Sequence, residues 1–242
     1  MDVGVVGIGD IATKAYLPLL ATWPGVRLHL ASRDEVRLEQ AARRFRATLV
    51  ASARQHRTLL AVGFNRRFAP AYRRVAEGAP QLVVLGKHRP DLADLPRRVI
   101  FDDLIHVVDT LRWLTDAGVV SPQVTGHVDD DRLHHVTFTF AHEGRHAIGL
   151  MNRCSGTTRE VLEAHQREAT TLVHDLAHTE VHGTSHTATW GPDSWSPTLE
   201  VRGFVAMLEA FFAAVAGQPS PTPSAEDALA THETCEHILE RL

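Results

Sequence analysis

The 242-residue chain has only two cysteines, Cys154 and Cys235, far apart and in no paired motif. That leaves no basis for a disulfide framework or a thiolate zinc site. No run approaches the ~18 apolar residues that span a bilayer, so no membrane partner is expected. The opening MDVGVVGIGD has neither the basic region nor the apolar stretch of a secretion signal, and the expected compartment is the cytoplasm. A basic surplus is also missing: 25 Lys and Arg stand against 29 Asp and Glu, a formal net charge of -4. Nucleic-acid binders normally carry the opposite balance, so no nucleic-acid partner is expected. Lysine is scarce, with Lys14 and Lys87 the only two. What is there is 44% hydrophobic and 22% charged, a globular composition long enough for two modest domains.

The chain opens with an apolar run, 2–6, suited to a buried parallel strand. Gly7-Ile8-Gly9-Asp10-Ile11-Ala12 interrupts it, and a helical pattern follows to about Ala21. Residues 26–31 read as a second strand, 35–45 as an amphipathic helix, 46–56 as helix again and 58–64 as a third strand. Strand, Gly7-x-Gly9-x-x-Ala12 and helix form the dinucleotide-binding arrangement. Gly7 permits the tight turn, Gly9 lets backbone approach a pyrophosphate, and Ala12 allows close helix–strand packing. The helix start, with Ile11, offers free N–H groups to phosphate. After the second strand, where an acidic residue would select NAD, stand Ser32 and Arg33, a pair suited to a 2′-phosphate. NADP is therefore the expected cofactor, with NAD the alternative.

From Gln81 the pattern changes. A strand over 82–86 and a helix over about 102–114 precede alternating segments at 123–128, 133–140, 145–153 and 158–165, with weaker ones to about 190. Strands in succession imply an antiparallel sheet. Residues 200–216 read as helix, and Ser224 caps a final helix with Glu226 and Asp227 near its positive end. The expected fold class is α/β plus α+β. A reduced Rossmann-type domain covers 1–66, and a domain with an open, mostly antiparallel sheet and flanking helices covers 67–242.

A second set of motifs points to a family. Phe64-Asn65-Arg66-Arg67-Phe68-x-Pro70-x-Tyr72 is followed by Phe101-Asp102-Asp103-Leu104-Ile105-His106-Val107-Val108-Asp109 and by Thr110-Leu111-Arg112-Trp113-Leu114. With Tyr16-Leu17-Pro18, Arg202-Gly203-Phe204 and Ser224-Ala225-Glu226-Asp227-Ala228-Leu229, these resemble the Gfo/Idh/MocA oxidoreductases. The resemblance implies NAD(P)-dependent hydride transfer to or from a carbinol or carbonyl of a sugar-like or polyol-like small molecule. It also implies a homodimer or homotetramer, and an Asp and a His at the substrate, here Asp102 and His106. Residues four apart share a helix face, and an imidazole titrating near neutrality suits proton exchange with a hydroxyl.

The family's Glu-Lys-Pro motif is absent, and the stretch between Phe45 and Thr48 is too short for the two strands that would carry it. Three readings follow: a shortened relative that acts as a binding or partner subunit without catalysis, residues omitted there, or Lys87 serving the reacting centre instead. Other constellations carry less. His174, His178, His182 and His186 recur every fourth residue but are broken by turns, so no metal site is expected. Asp129-Asp130-Asp131 lacks the ligand spacing of a calcium loop and reads as a polar hairpin tip. Ser155 and Ser185 have no nucleophile-elbow context.

Overall fold

The computed structural model describes residues 1–32, 34–45, 48–49 and 59–242. The chain forms two compact units, Met1–Leu59 and Leu60–Leu242.

In the first unit β1 (Asp2–Val6) and β2 (Arg27–Ala31) pair in parallel, with Val3 opposite Leu28 and Val5 opposite Leu30. β3 (Thr48–Leu49) joins the other side of β2, giving the order β1-β2-β3. Strand, not helix, is therefore the conformation at residues 48 and 49; the rest of the helix expected over 46–56 lies outside the described residues. β1 is also less buried than its apolar run implies. Only Val3 is covered, and Val6 is 74% exposed. The reason is positional: β1 is an edge strand of the described sheet, with a neighbour on one side only. The helix after the glycine loop is π-wound over Ala12–Tyr16 and α-helical over α1 (Leu17–Thr22). It packs Ala12, Ala15, Leu17 and Leu20 inward. Asp34 caps α2 (Glu35–Phe45) by accepting the Arg37 N–H at 3.0 Å.

The third strand expected over 58–64 does not form in its described part. Residues 59–64 run without regular structure into a 3₁₀ turn, Asn65–Phe68. Their apolar character is satisfied by packing instead of pairing: Phe64 is buried in the core of the second unit and Val62 lies against it. A short apolar run does not by itself distinguish these outcomes.

The second unit is built on an eight-stranded sheet in the order β11-β10-β9-β8-β4-β7-β6-β5. Its strands are β4 (Leu82–His88), β5 (Gln123–Asp129), β6 (Arg132–His142), β7 (Arg145–Asn152), β8 (Arg159–His165), β9 (Ala169–His174), β10 (His178–Gly183) and β11 (Thr187–Trp190). All neighbours are antiparallel except β4 and β7. The hairpin tip between β5 and β6 holds Asp130 and Asp131 at φ 48° and 58°, a left-handed turn that short polar residues tolerate.

β4 enters between β7 and β8, and one of its faces is covered by helix. Val83 and Leu85 from β4, Phe138 from β6, Met151 from β7 and Leu162 from β8 pack with Val107, Val108 and Leu111. Those last three belong to α5 (Ile105–Thr115), the continuation of α4 (Pro96–Val99) and a π-wound stretch, Ile100–Leu104. Around this core lie α3 (Pro70–Glu77), α6 (Thr198–Val201), α7 (Phe204–Val215) and α8 (Ala225–Leu239). Ser224 caps α8, its Oγ accepting the Asp227 N–H at 3.1 Å. Among the described residues no helix is long and apolar enough to cross a membrane.

Candidate active site

Period-two alternation along β4 sends Val83 and Leu85 into the core and brings Lys87 inward after them. Register places Lys87 opposite Met151 on β7 and opposite Glu160 on β8. A lysine this buried needs a counter-charge. Asp103, from the π-wound turn before α5, supplies it in direct contact with Lys87 Nζ. Asp103 also accepts Arg153 Nη1 at 2.5 Å and stands 3.4 Å from Arg89 Nε. Beside this group Arg66 grips Glu160 with two parallel hydrogen bonds, 2.8 and 2.7 Å, and the Tyr72 hydroxyl donates to the same carboxylate at 3.0 Å. The Glu160 backbone N–H is held by Asp175 at 2.8 Å. His106 completes the cluster. Its ring meets Phe64 edge-on at 6.3 Å between centroids, and its Nδ1 is fully buried with no hydrogen-bond partner among the described residues.

These surroundings tune the groups. Burial, reinforced by the Arg66 charge, outweighs the attraction of Asp103 and brings Lys87 down to about 8. Burial also drives His106 well below its ordinary value, and the charges of Arg66 and Lys87 push it the same way, so the imidazole is neutral at pH 7. Burial alone would raise Glu160, but Arg66 overrides it and holds the carboxyl at about 2. Burial opposes ionisation of Asp103 too, and Lys87, Arg89 and Arg153 nonetheless keep it below the usual range. The result is an amine that titrates near neutrality beside a neutral imidazole, the condition for proton exchange at physiological pH.

The sequence-derived residues separate here. Lys87 and His106 fall in one cluster. Asp102 does not: it is exposed and makes no hydrogen bond or ion pair among the described residues. The reading that Asp102 shares a face with His106 rests on α-helical spacing, and this segment is π-wound, with Ile105 N–H bonded to Ile100 O. Asp103, three residues from His106, takes the inward position and contacts Lys87. Asp103 was visible only as the second half of an Asp-Asp pair. Arg66 and Tyr72 stood in a noted motif without a role, and no local signal marked Glu160.

The other motif residues hold the scaffold. Arg67 forks onto Asp109 at 2.9 and 2.6 Å and reaches Asp227 at 2.6 Å, which also takes Arg112 at 3.0 Å. Asn65 Nδ2 donates to Arg202 O at 2.7 Å. A concavity of about 870 Å³ in this unit is lined by Leu82, Phe140, His142 and His146 among others. It lies at the opposite end of β4 from Lys87, about 16 Å away at the rise of a strand. His174 and His182 lie within 3.5 and 3.2 Å of Glu180 along β9 and β10.

In the first unit Gly7 turns the chain at φ 88° and donates its N–H to Ala31 O at 2.8 Å. That conformation disfavours any side chain. Space above Gly7 and Gly9 is open: a Cβ on either would meet nothing within 4 Å. Ala12 is buried beneath the loop and Ile11 is exposed at the helix start. This bare backbone at the start of a helix fits a pyrophosphate. Ser32 accepts the Asp34 N–H at 3.2 Å, while Arg33 lies outside the described residues.

Residues 70–184 match the family model described as YceM-like, C-terminal domain. The chain is 31% identical over 198 residues to the YceM protein of Salmonella typhimurium, whose name places it provisionally among oxidoreductases; the match covers 78% of this chain and 64% of that protein. A Gfo/Idh/MocA family oxidoreductase from Vibrio cholerae superposes with a TM-score of 0.82 at 24% identity, over 100% of this chain and 97% of that one. An oxidoreductase from Agrobacterium radiobacter, solved with NAD+, L-tartaric acid and magnesium, does so at 0.76 and 16% identity, over 100% and 96%. The chain spans a little under two thirds of the length of YceM. Residues 70–184 thus match a YceM-like C-terminal domain, and the whole chain shares its fold with a solved Gfo/Idh/MocA family oxidoreductase.

Proposed function

We propose that this chain is an NAD(P)-dependent oxidoreductase moving a hydride between nicotinamide and a carbinol or carbonyl of a sugar-like or polyol-like substrate. The observation that carries the reading is the buried Lys87–Asp103–His106 cluster, which has more charge chemistry than packing requires. Gly7, Gly9, Ile11 and Ala12 would hold the pyrophosphate, and Ser32 with Arg33 the ribose end, which favours NADP. The cofactor when bound supplies the hydride donor or acceptor.

The chain's own residues handle the proton. In the oxidising direction the neutral His106 imidazole accepts the hydroxyl proton, while the Lys87 ammonium donates a hydrogen bond to the same oxygen. In the reducing direction the same path runs backwards: the His106 imidazolium returns the proton to the developing alkoxide while the Lys87 ammonium hydrogen-bonds the same oxygen. Asp103 keeps the Lys87 side chain in place. Lys87 in this role answers the missing Glu-Lys-Pro lysine. Asp102, exposed, is assigned to the rim of the site. A domain boundary near residue 66, assembly as a homodimer or homotetramer through the open sheet, and a cytoplasmic setting belong to the same reading.

The test follows NAD(P)H absorbance with the purified protein across sugars, inositols, keto-sugars and sugar acids. Turnover is expected, and His106→Ala should lower kcat by about 10²–10⁴-fold with cofactor affinity unchanged. Near-normal turnover by the variant would remove His106 from the chemistry. Cofactor binding without turnover on any substrate would instead make the chain a binding or partner subunit.

A further inference from the structure

We propose that Arg89, backed by Lys87 and Arg153 on Asp103, forms a subsite for an oxyanion, so that the substrate of this chain is an acidic sugar-like molecule and not a neutral one. The proposal deepens the functional reading above and rests on it.

Charge balance is the first support. Glu160 is matched one to one by Arg66. Asp103 alone faces three cations, Lys87, Arg89 and Arg153. Four positive groups therefore stand against two negative ones. Asp175, bonded to the Glu160 backbone N–H, takes up one of the two surplus charges. Asp102 is exposed to water, where its effect is screened. At least one positive charge is left in the half-buried part of the cluster without a protein partner.

The second support is geometric and singles out Arg89. Arg153 is the more tightly held of the two, with Nε on Leu92 O at 2.7 Å, Nη1 on Asp103 at 2.5 Å and a side chain only 11% exposed. Arg89 makes one contact to Asp103 through Nε at 3.4 Å, longer than an ordinary hydrogen bond. Its two Nη nitrogens have no partner among the described residues, and its side chain is 31% exposed. The backbone behind it is fixed: its N–H donates to Asn152 O at 2.8 Å and its carbonyl accepts the Ser155 N–H at 3.0 Å. A guanidinium held from behind with its fork open is suited to bidentate capture of a carboxylate or phosphate. His106, which feels the charges of Lys87 and Asp103, supplies the adjacent proton acceptor and an unsatisfied buried nitrogen in the same cluster.

Calorimetric titration of the full chain tests this without requiring turnover. The probes are D-gluconate for a carboxylate, inorganic phosphate for a phosphate and myo-inositol as a neutral polyol, in low-chloride buffer. An oxyanion probe should bind at least about tenfold tighter than myo-inositol. Arg89→Gln should weaken it by about tenfold to a hundredfold, the range for a hydrogen-bonded charge pair, and Arg89→Lys should restore part of the loss. Binding of D-gluconate alone assigns a carboxylate; binding of phosphate with the same Arg89 dependence assigns a phosphorylated substrate. Equal melting temperatures establish that Arg89→Gln is folded, and if it melts lower, Arg89→Lys against wild type carries the comparison. No oxyanion binding, or binding indifferent to both substitutions, overturns the subsite. Oxyanion binding with no hydride transfer on any substrate leaves the subsite standing and removes the oxidoreductase reading.

Discussion

Replacing Lys87 with methionine should leave the protein at least as stable at pH 7 and remove a rise in stability at alkaline pH. Lys87 is 4% exposed, beside Met151 and within reach of the Arg66 charge. Its folded value of about 8 against the ordinary 10.5 means that the folded state resists the ammonium form. Below pH 8 both states hold the proton and the folded state bears the full burial cost. Between about 8 and 10.5 the folded protein releases the proton while the unfolded chain keeps it, so stability climbs with pH. A lowering from 10.5 to about 8 corresponds to about 3 kcal/mol. Methionine has a similar unbranched shape and no charge, and Asp103 still keeps Arg89 and Arg153. The assay is urea unfolding of wild type and Lys87→Met from pH 7 to 10.5, followed by tryptophan fluorescence. Three of the four tryptophans, Trp113, Trp190 and Trp195, lie in the second unit and report on it. The stability difference between the two proteins should change by about 3 kcal/mol across this range, in favour of wild type. A difference that stays flat with pH, or a variant that loses several kcal/mol at pH 7, would show that the Asp103 contact outweighs burial and that Lys87 is an ordinary ion-pair lysine.

Other perturbations probe the neighbouring parts. Glu160→Gln strands Arg66 and should destabilise the second unit by about 3–5 kcal/mol in urea melts. Because Glu160 is held at about 2, wild type should lose this contribution as pH falls from about 4.5 to 2, and a variant with the same acid profile as wild type would refute the pairing. Gly203 sits at φ 80°, where an added Cβ would strike the backbone of Asn65, Phe68 and Ala69. Gly203→Ala should therefore cost about 2–4 kcal/mol, and a neutral result in thermal melts would mean the turn can relax. In the first unit Arg33→Ala should weaken NADP+ binding in calorimetric titration and spare NAD+; equal effects on both would remove the 2′-phosphate role.

The sequence alone determined what depends on neighbours along the chain. Gly7 in the turn after β1, the Ser224 cap of α8, the Asp130–Asp131 hairpin tip and the alternating strands β5 to β8 are local choices of turn chemistry and period. Each can be read from a few consecutive residues. The family motifs around Arg66 and His106 were equally legible as patterns. Their chemistry was not, because it depends on contacts between residues far apart in the chain. Lys87 meets Glu160 only because β4 inserts between β7 and β8, a long-range pairing that no local pattern encodes. Asp103 and not Asp102 contacts Lys87, a choice that the Asp-Asp pair in the sequence leaves open. The run 59–64 stays out of the sheet because Phe64 gains more from the core than from a strand partner. In each case the side chains are fixed by sequence, while their burial and partners, and hence the protonation of Lys87 and His106, are set by tertiary packing.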